Sequence, residues 1–234
     1  MRYFLFCLLP LFLFSKPLKV ATYNVENFFD AVYQGTEYKE YTPGKHNWNK
    51  RMVDIKLNHT AEVICDLNAD ILGLQEVENS HILHQLMRRL KKVGCSYKYS
   101  AITDKKNASI QVALLSHYPI KKQYDIQVSF SERVRSILEV EVDIEGESIT
   151  LFVNHWKSKA YKGYKSKRIE YAKALQSRIL KMPDTKEYII LGDFKKKKPA
   201  PPNRSRLKIH YAHLGYYKKL QVVIYSKKDF EILE

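Results

Sequence analysis

Glycine and proline are scarce in this chain of 234 residues, which contains eight of each and only three cysteines. So low a share of glycine and proline excludes collagen-like and low-complexity sequences. The apolar content of 45% is ordinary and excludes a chain too polar to form a core. What remains is a globular protein of α/β or β-rich class, long enough for one sizeable core.

Long apolar runs are also missing. The longest spans Tyr3 to Phe14 and falls short of the roughly 20 residues that cross a bilayer. Because Arg2 precedes this run and the small residue Ser15 follows it, residues 1–15 are predicted to be a secretory signal peptide. We therefore expect a periplasmic or secreted protein, with an uncleaved signal anchor as the alternative.

Two cysteines, Cys65 and Cys95, remain once the segment that contains Cys7 is removed. In an oxidising compartment they can form a single disulfide, and two buried free thiols are equally compatible with the sequence. Their spacing suits no metal site.

Positive charge exceeds negative charge and is unevenly distributed. The chain has 40 Lys and Arg against 25 Asp and Glu, a formal net charge of +15. Residues 195–234 hold 11 of the basic and 3 of the acidic residues, a net +8. An excess of this sign favours polyanionic partners such as nucleic acid or an anionic membrane surface.

Apolar periodicity and turn residues predict strands that alternate with helices. Strands are predicted at 18–23, 70–77, 97–102, 110–115, 120–128, 135–144, 148–154 and 187–191. Helices are predicted at 48–67, 80–92 and 166–181. Ser80 is the predicted cap of the second helix, and the five strands between residues 97 and 154 are interpreted as a meander. Helices around a β interior indicate a layered α/β sandwich.

Polar clusters follow four of these strands. They are TYNVEN at 22–27, QEVEN at 75–79, NHWKS at 154–158 and GD at 192–193. Together they offer carboxylates, amides and one imidazole, with no thiolate or histidine cluster. That inventory favours Mg²⁺ or Mn²⁺ over Zn²⁺, because hard cations prefer oxygen ligands. Such a site is typical of phosphate-ester hydrolysis, in which a base activates water.

The motifs TYNVENFFD, LQEVEN, VNHWKSK and ILGDF occur in an order and spacing that resemble the endonuclease/exonuclease/phosphatase superfamily, with its deoxyribonuclease-like and sphingomyelinase-like members. NVENFFD together with NHWKSK is most similar to the predicted extracellular nuclease branch. The resemblance covers residues 18–194. It implies a four-layer αββα sandwich, two face-to-face mixed β-sheets with outer helices, and a divalent-metal phosphodiesterase.

The resemblance also implies roles for individual residues. Glu76 would be the principal metal ligand, for Mg²⁺ or Mn²⁺, and Asn24 would hydrogen-bond near the metal and phosphate. His155 would contact the phosphate or assist the leaving group, and Asp193 would bind metal or polarise the attacking water. The predicted substrate-binding residues are Arg135, Lys157 and Arg168.

Two departures from the family pattern bear on activity. Lys195 stands where the family has an Asn that helps bind phosphate, and a lysine cannot reproduce the geometry of the amide. The family also closes on Ser-Asp-His, and no Asp-His dipeptide occurs in the chain. The second sheet is expected to lack its final strands, so the sandwich would be incomplete at its C-terminal end.

The sequence thus predicts a signal peptide at 1–15, a truncated family domain at 16–194 and a divergent basic tail at 195–234, in which only residues 220–225 resemble a strand. The favoured function is a monomeric, metal-dependent nuclease, with nucleic acid as its substrate and no stable protein partner. A catalytically inactive family member is the alternative. A phospholipid or sphingomyelin phosphodiesterase on the same scaffold is the third interpretation, because a fold does not determine the substrate.

Overall fold

A computed structural model describes residues 18–131, 134–157, 164–194, 208–210 and 221–224. The predicted signal peptide and Lys195 lie outside these residues. The strands are β1 (Lys19–Phe28), β2 (Ile71–Val77), β3 (Tyr99–Ile102), β4 (Gln111–Ser116), β5 (Ile120–Ile126), β6 (Ile137–Ile144), β7 (Glu147–His155), β8 (Tyr188–Asp193), β9 (Lys208–His210) and β10 (Gln221–Ile224). The helices are α1 (Lys50–Leu67), α2 (Ser80–Lys92) and α3 (Tyr164–Ile179).

The strands form two sheets. One has the order β3-β4-β2-β1-β10-β9, and the other has the order β5-β6-β7-β8. The predicted meander is therefore wrong as a single unit, because β3 and β4 join the first sheet whereas β5, β6 and β7 join the second. Both sheets are mixed: β1 pairs parallel with β2 and β7 with β8, whereas β4 and β6 pair antiparallel with their neighbours.

Three apolar clusters separate the layers. The first lies between the first sheet and helices α1 and α2, and includes Phe28, Leu57 and Leu86. The second lies between the sheets and includes Val20 and Val153. A third packs α3 against the outer face of the second sheet. Helix, sheet, sheet and helix follow one another, so the predicted four-layer αββα sandwich is confirmed.

Helix α1 shows where the apolar pattern was misread. The apolar spacing predicts a buried side that contains Met52, Ile55, Ile64 and Leu67. Ile64 and Leu67 are buried, but Met52 and Ile55 are 39% and 37% exposed. The buried stripe instead contains Val53 and Leu57. Met52 and Val53 are adjacent apolar residues, and adjacent residues of a helix lie about 100° apart around its axis. The apolar pattern of the first turns therefore does not determine which of the two faces the core.

The N-cap of helix α2 lies one residue before the predicted cap Ser80. The side chain of Asn79, not that of Ser80, accepts a hydrogen bond from the backbone N–H of Ile82 at 2.9 Å. Asn79 has extended backbone angles, as an N-cap requires. The other end of this helix lies near Cys95, which the structure joins to Cys65 in a disulfide with a Cα–Cα distance of 5.7 Å.

Residues beyond 194 contribute two short strands to the first sheet. β10 pairs parallel with β1, and β9 pairs antiparallel with β10. The sequence predicted β10 but not β9, because a strand of only three residues is too short to show an alternation of apolar and polar positions. The boundary of the domain at residue 194 stays a prediction. None of the helices within the described residues combines the length and apolar composition that a bilayer crossing requires.

Candidate functional site

The first sheet brings Asn24 and Glu76 together through irregular strand ends. β1 and β2 pair in register up to Asn24, and the register shifts before Phe28. Within this irregularity Glu26, Asn27 and Glu76 have φ angles of 54°, 51° and 67°. Left-handed angles are costly for residues other than glycine and cluster at functional sites.

Hydrogen bonds hold these unusual conformations. The side-chain oxygen of Asn24 accepts from the backbone N–H of Glu26 at 3.0 Å. Oε2 of Glu76 accepts from the backbone N–H of Asn27 at 2.9 Å. The end of each strand is therefore fixed by a polar side chain of the candidate site.

The second sheet supplies His155 and Asp193 from adjacent parallel strands. The two residues are register partners, and the N–H of Trp156 donates to the carbonyl of Asp193 at 3.0 Å. Asn154 is completely buried and donates to the carbonyl oxygens of Phe152 and Leu191. These bonds lock β7 and β8 together where they reach the site.

Gly192 allows this close approach of β7 and β8. Its φ is +131°, and a Cβ atom there would lie 2.0 Å from the carbonyl oxygen of Asn154. A side chain at this position therefore requires a backbone shift directly before Asp193.

We expect Gly192→Ala to lower the free energy of unfolding by more than about 2 kcal/mol, through both backbone strain and this clash. Gly44→Ala is the matched control, because Gly44 has φ +77° and nothing within 4 Å of its Cβ position. It should cost only about 1 kcal/mol for the left-handed angle. Urea unfolding of both variants measures the difference, and equal costs would contradict the close approach.

The four predicted residues meet where the edges of the two sheets adjoin. Nδ2 of Asn24 donates to Oε1 of Glu76 at 2.9 Å and lies 3.3 Å from Oδ2 of Asp193. Nε2 of His155 lies 3.4 Å from Oε1 of Glu76. The His155 side chain is only 3% exposed, whereas that of Glu76 is 16% exposed, so solvent reaches the junction at the carboxylate. We call Asn24, Glu76, His155 and Asp193 the rim junction.

The donor set of the rim junction fits a hard divalent cation. Among the described residues, no group of three or more His, Cys, Asp or Glu side chains is placed to hold a metal ion. A protein cage of the kind that binds structural zinc is therefore not present in that part of the chain. Mg²⁺ commonly uses one or two carboxylates and completes its shell with water and substrate oxygens. Glu76 and Asp193 match that requirement in number and type.

The predicted substrate-binding residues lie on the elements that end near the junction. Arg135 lies two residues before the start of β6, and its backbone N–H donates to the hydroxyl of Tyr171 at 2.8 Å. Lys157 is two residues beyond His155, and Arg168 lies in the second turn of α3. All three side chains are partly buried. Their contact with a substrate stays a prediction.

A second polar cluster, which the sequence did not reveal, lies behind Glu76. Asp30 is fully buried, and its Oδ2 lies 2.8 Å from Nδ1 of His81 and accepts from Asn79 at 3.3 Å. The N–H of Asp30 donates to Oε2 of Glu78 at 2.7 Å. The sequence carries one signal of this cluster. The motif TYNVENFFD ends in Asp30, and the motif LQEVEN places Glu78 two residues after Glu76.

The pKa of Glu78 is raised to about 8, chiefly by burial and to a smaller extent by the charges of Asp30 and Glu37, although the hydrogen bond from the N–H of Asp30 lowers it. A folded-state pKa above that of the unfolded chain favours unfolding as the pH rises between the two values. Burial therefore favours the neutral acid of Glu78 in the folded chain, and its ionisation destabilises the fold as the pH rises toward about 8.

Solved structures share this architecture at low sequence identity. TDP2 from C. elegans has a TM-score of 0.53 and 18% identity over 77% of this chain and 48% of that chain. SmcL has a TM-score of 0.55 and 19% identity over 76% of this chain and 64% of the SmcL chain. D. rerio TDP2 complexed with single strand DNA product has a TM-score of 0.52 and 15% identity over 77% of this chain and 62% of the D. rerio chain. The chain thus spans about half the length of the C. elegans protein, and these similarities concern the fold.

Among curated proteins, none matches the chain significantly. A family profile gives a clearer result, because residues 19–222 match the description Endonuclease/Exonuclease/phosphatase family. The match includes all four residues of the rim junction and extends through β9 into β10. It covers most of the 234 residues, and the chain therefore belongs to the endonuclease/exonuclease/phosphatase family.

Proposed function

We propose that the protein is a secreted, divalent-metal-dependent phosphodiesterase that hydrolyses nucleic acid. The observation that carries the proposal is the rim junction, in which Asn24 links the carboxylates of Glu76 and Asp193 while His155 lies beside Glu76. Two carboxylates, an amide and an imidazole at one solvent-accessible point are the groups that metal-assisted phosphate-ester hydrolysis needs.

Each residue of the rim junction has a role in the proposed reaction. Glu76 would hold Mg²⁺ or Mn²⁺, and the chemistry that this ion supplies is neutralisation of charge on the phosphoryl oxygens. The amide of Asn24 fixes the orientation of both carboxylates. Asp193 would share the metal with Glu76 or polarise the attacking water, and the imidazole of His155 would contact the phosphate or assist the leaving group.

Nucleic acid is the proposed substrate because of charge. The chain carries a net +15, and neutralisation of backbone phosphates supplies most of the affinity of non-specific nucleic-acid binding. The DNA product bound to D. rerio TDP2 indicates that this fold is compatible with such a ligand. Residues 1–15 support export by their composition, since a basic residue precedes a short apolar run.

Metal removal tests the proposed activity. We expect the full chain to convert supercoiled plasmid to nicked or linear forms with Mg²⁺ or Mn²⁺, and EDTA should abolish the conversion. Zn²⁺ should not restore it, because the junction offers hard oxygen ligands. Gel electrophoresis with matched protein concentrations measures the rate.

The outcomes of this assay separate the candidate functions. Hydrolysis that survives EDTA would contradict the metal requirement. No hydrolysis of plasmid, single-stranded DNA or RNA would favour the inactive family member, for which the specific observation is Lys195 in place of the motif asparagine. Release of phosphocholine from sphingomyelin without nuclease activity would favour the lipid phosphodiesterase.

A further inference from the structure

The described residues of the connection between β5 and β6, 127–131 and 134–136, lie at the same edge as the rim junction. β6 runs antiparallel to β7, with Leu138 opposite Val153. The chain therefore enters β6 at the end where β7 reaches His155. The last residue of β5, Ile126, pairs with Ile137, which places the start of the connection at this edge too.

A lysine from the other sheet fixes this connection. Nζ of Lys105 donates to the carbonyl oxygens of Ser129 and Ser131 at 2.8 Å each and to that of Val134 at 2.5 Å. An ammonium group has three N–H donors, so one lysine can bind several carbonyl oxygens at once. Lys105 lies between β3 and β4, so its side chain ties the two sheets together at the site edge. The N–H of Val134 also donates to the carbonyl of Ser131 at 3.0 Å.

Phe130 stands between two of the carbonyls that Lys105 binds. Its side chain is 94% exposed, more than any other large apolar side chain in the described part of the chain. Single exposed apolar residues are common on protein surfaces. Here, however, the exposed ring is attached to a backbone held by three charge-assisted hydrogen bonds, and it lies at the edge that carries the candidate site.

We propose that Phe130 is a stacking contact for an unpaired nucleobase of the substrate and that Lys105 positions the loop for this contact. The inference rests on the proposed nucleic-acid substrate and names its form as a single strand. Stacking on an aromatic side chain tolerates any base, because every base has a π face. Paired bases inside a duplex already stack on their neighbours, so a single strand offers the free face more readily.

The surroundings of Phe130 favour a nucleobase over a lipid surface. Its chain neighbours Ser129 and Ser131 are polar, and no other large apolar side chain adjoins it in the sequence of this loop. One exposed ring between polar neighbours suits contact with one stacked base. Insertion into a membrane draws on a larger contiguous apolar area.

Binding of a labelled oligonucleotide tests the inference with the full chain. Fluorescence anisotropy of a fluorescein-labelled twelve-residue oligothymidylate is measured in EDTA, so that hydrolysis does not interfere. We expect Phe130→Ala and Phe130→Leu each to weaken binding about 5- to 100-fold, and Phe130→Trp to retain it. Tyr124→Ala is the matched control, since Tyr124 is an aromatic residue of β5 that is 53% exposed within the strand. It should bind as the unchanged protein does.

The leucine variant makes the result specific to stacking, because leucine keeps an apolar side chain but has no aromatic face. For Lys105→Met we expect the same loss of affinity together with faster amide hydrogen exchange at residues 127–131. Fast exchange with unchanged affinity would remove Lys105 from the inference as a positioning residue.

Oligonucleotide affinity that is unchanged in Phe130→Leu would overturn the stacking contact, while hydrolysis of plasmid by the same preparation would leave the proposed function standing. If the unchanged protein neither binds the oligonucleotide nor hydrolyses plasmid, both proposals fail. Loss of binding to anionic phosphatidylglycerol vesicles in Phe130→Ala, with oligonucleotide affinity retained, would assign the ring to a membrane contact and overturn the inference.

Discussion

Replacement of Glu76 by glutamine is expected to lower the rate of plasmid hydrolysis by at least about 100-fold. Both carboxylate oxygens accept hydrogen bonds, Oε1 from Asn24 and Oε2 from the backbone of Asn27. Glutamine has one acceptor oxygen, so its NH₂ group must face one of these donors. A neutral amide is also a weaker ligand for a hard cation. Initial rates at saturating Mg²⁺ measure the effect.

The matched control is Glu147→Gln. Glu147 is exposed at the first residue of β7, at the opposite end of the strand from His155. The two variants lose the same charge, so any general effect of net charge on nucleic-acid affinity is shared. Glu147→Gln should retain the full rate. Equal rates in both variants would remove Glu76 from the proposed reaction.

Loss of the disulfide is expected to lower the free energy of unfolding by about 2–4 kcal/mol, which corresponds to a fall in melting temperature of roughly 5–15 °C. Cys65 lies in the last turn of α1 and Cys95 follows α2, with a sequence separation of 30 residues. The bond closes a long loop and so restricts the unfolded chain. Thermal unfolding with and without a reducing agent measures the effect.

The double variant Cys65→Ser, Cys95→Ser is the control, because a reducing agent should not change its melting temperature.

The exported protein provides a test of the signal peptide and of the disulfide together. Protein recovered from the periplasm or medium should have lost residues 1–15 and carry the closed bond, both of which intact mass spectrometry detects. A melting temperature of the exported protein that does not respond to reduction would contradict the expected role of the disulfide.

Residue type and order predicted much of the fold. The buried strand at β2 and the amphipathic helix α2 were recognisable because each has a strong apolar pattern within one continuous segment. Partition of the strands between two sheets was not, since neither β4 (QVALLS) nor β5 (IKKQYDI) carries a local sign of its partner strand. Their sheets differ only in distant partners: β4 pairs with β2, and β5 pairs with β6. Pairing over such distances depends on tertiary packing and leaves no local signal.

The candidate site was likewise predictable from the sequence only where local residues carry the signal. The polar clusters that contain Asn24, Glu76, His155 and Asp193 were recognisable because each follows a predicted strand, and the resemblance to the family then selected these four residues. Contacts that support them were missed when they depend on backbone angles, as with the bond from the N–H of Asn27 to Glu76. Lys105 was missed as well, because its role consists of bonds to carbonyl oxygens about 25 residues away, and those bonds depend on how the two sheets face each other.

Titration with Mn²⁺, followed by electron paramagnetic resonance of the free ion, tests the metal site at the rim junction without dependence on any substrate. We predict that the full chain binds one Mn²⁺, that Glu76→Gln weakens this binding by at least about 10-fold, and that Glu147→Gln leaves it unchanged. Excess Mg²⁺ should displace the bound ion. A chain that binds no Mn²⁺, or a Glu76→Gln variant that binds it as tightly as the unchanged protein, would contradict the assignment of the rim junction as a divalent-metal centre.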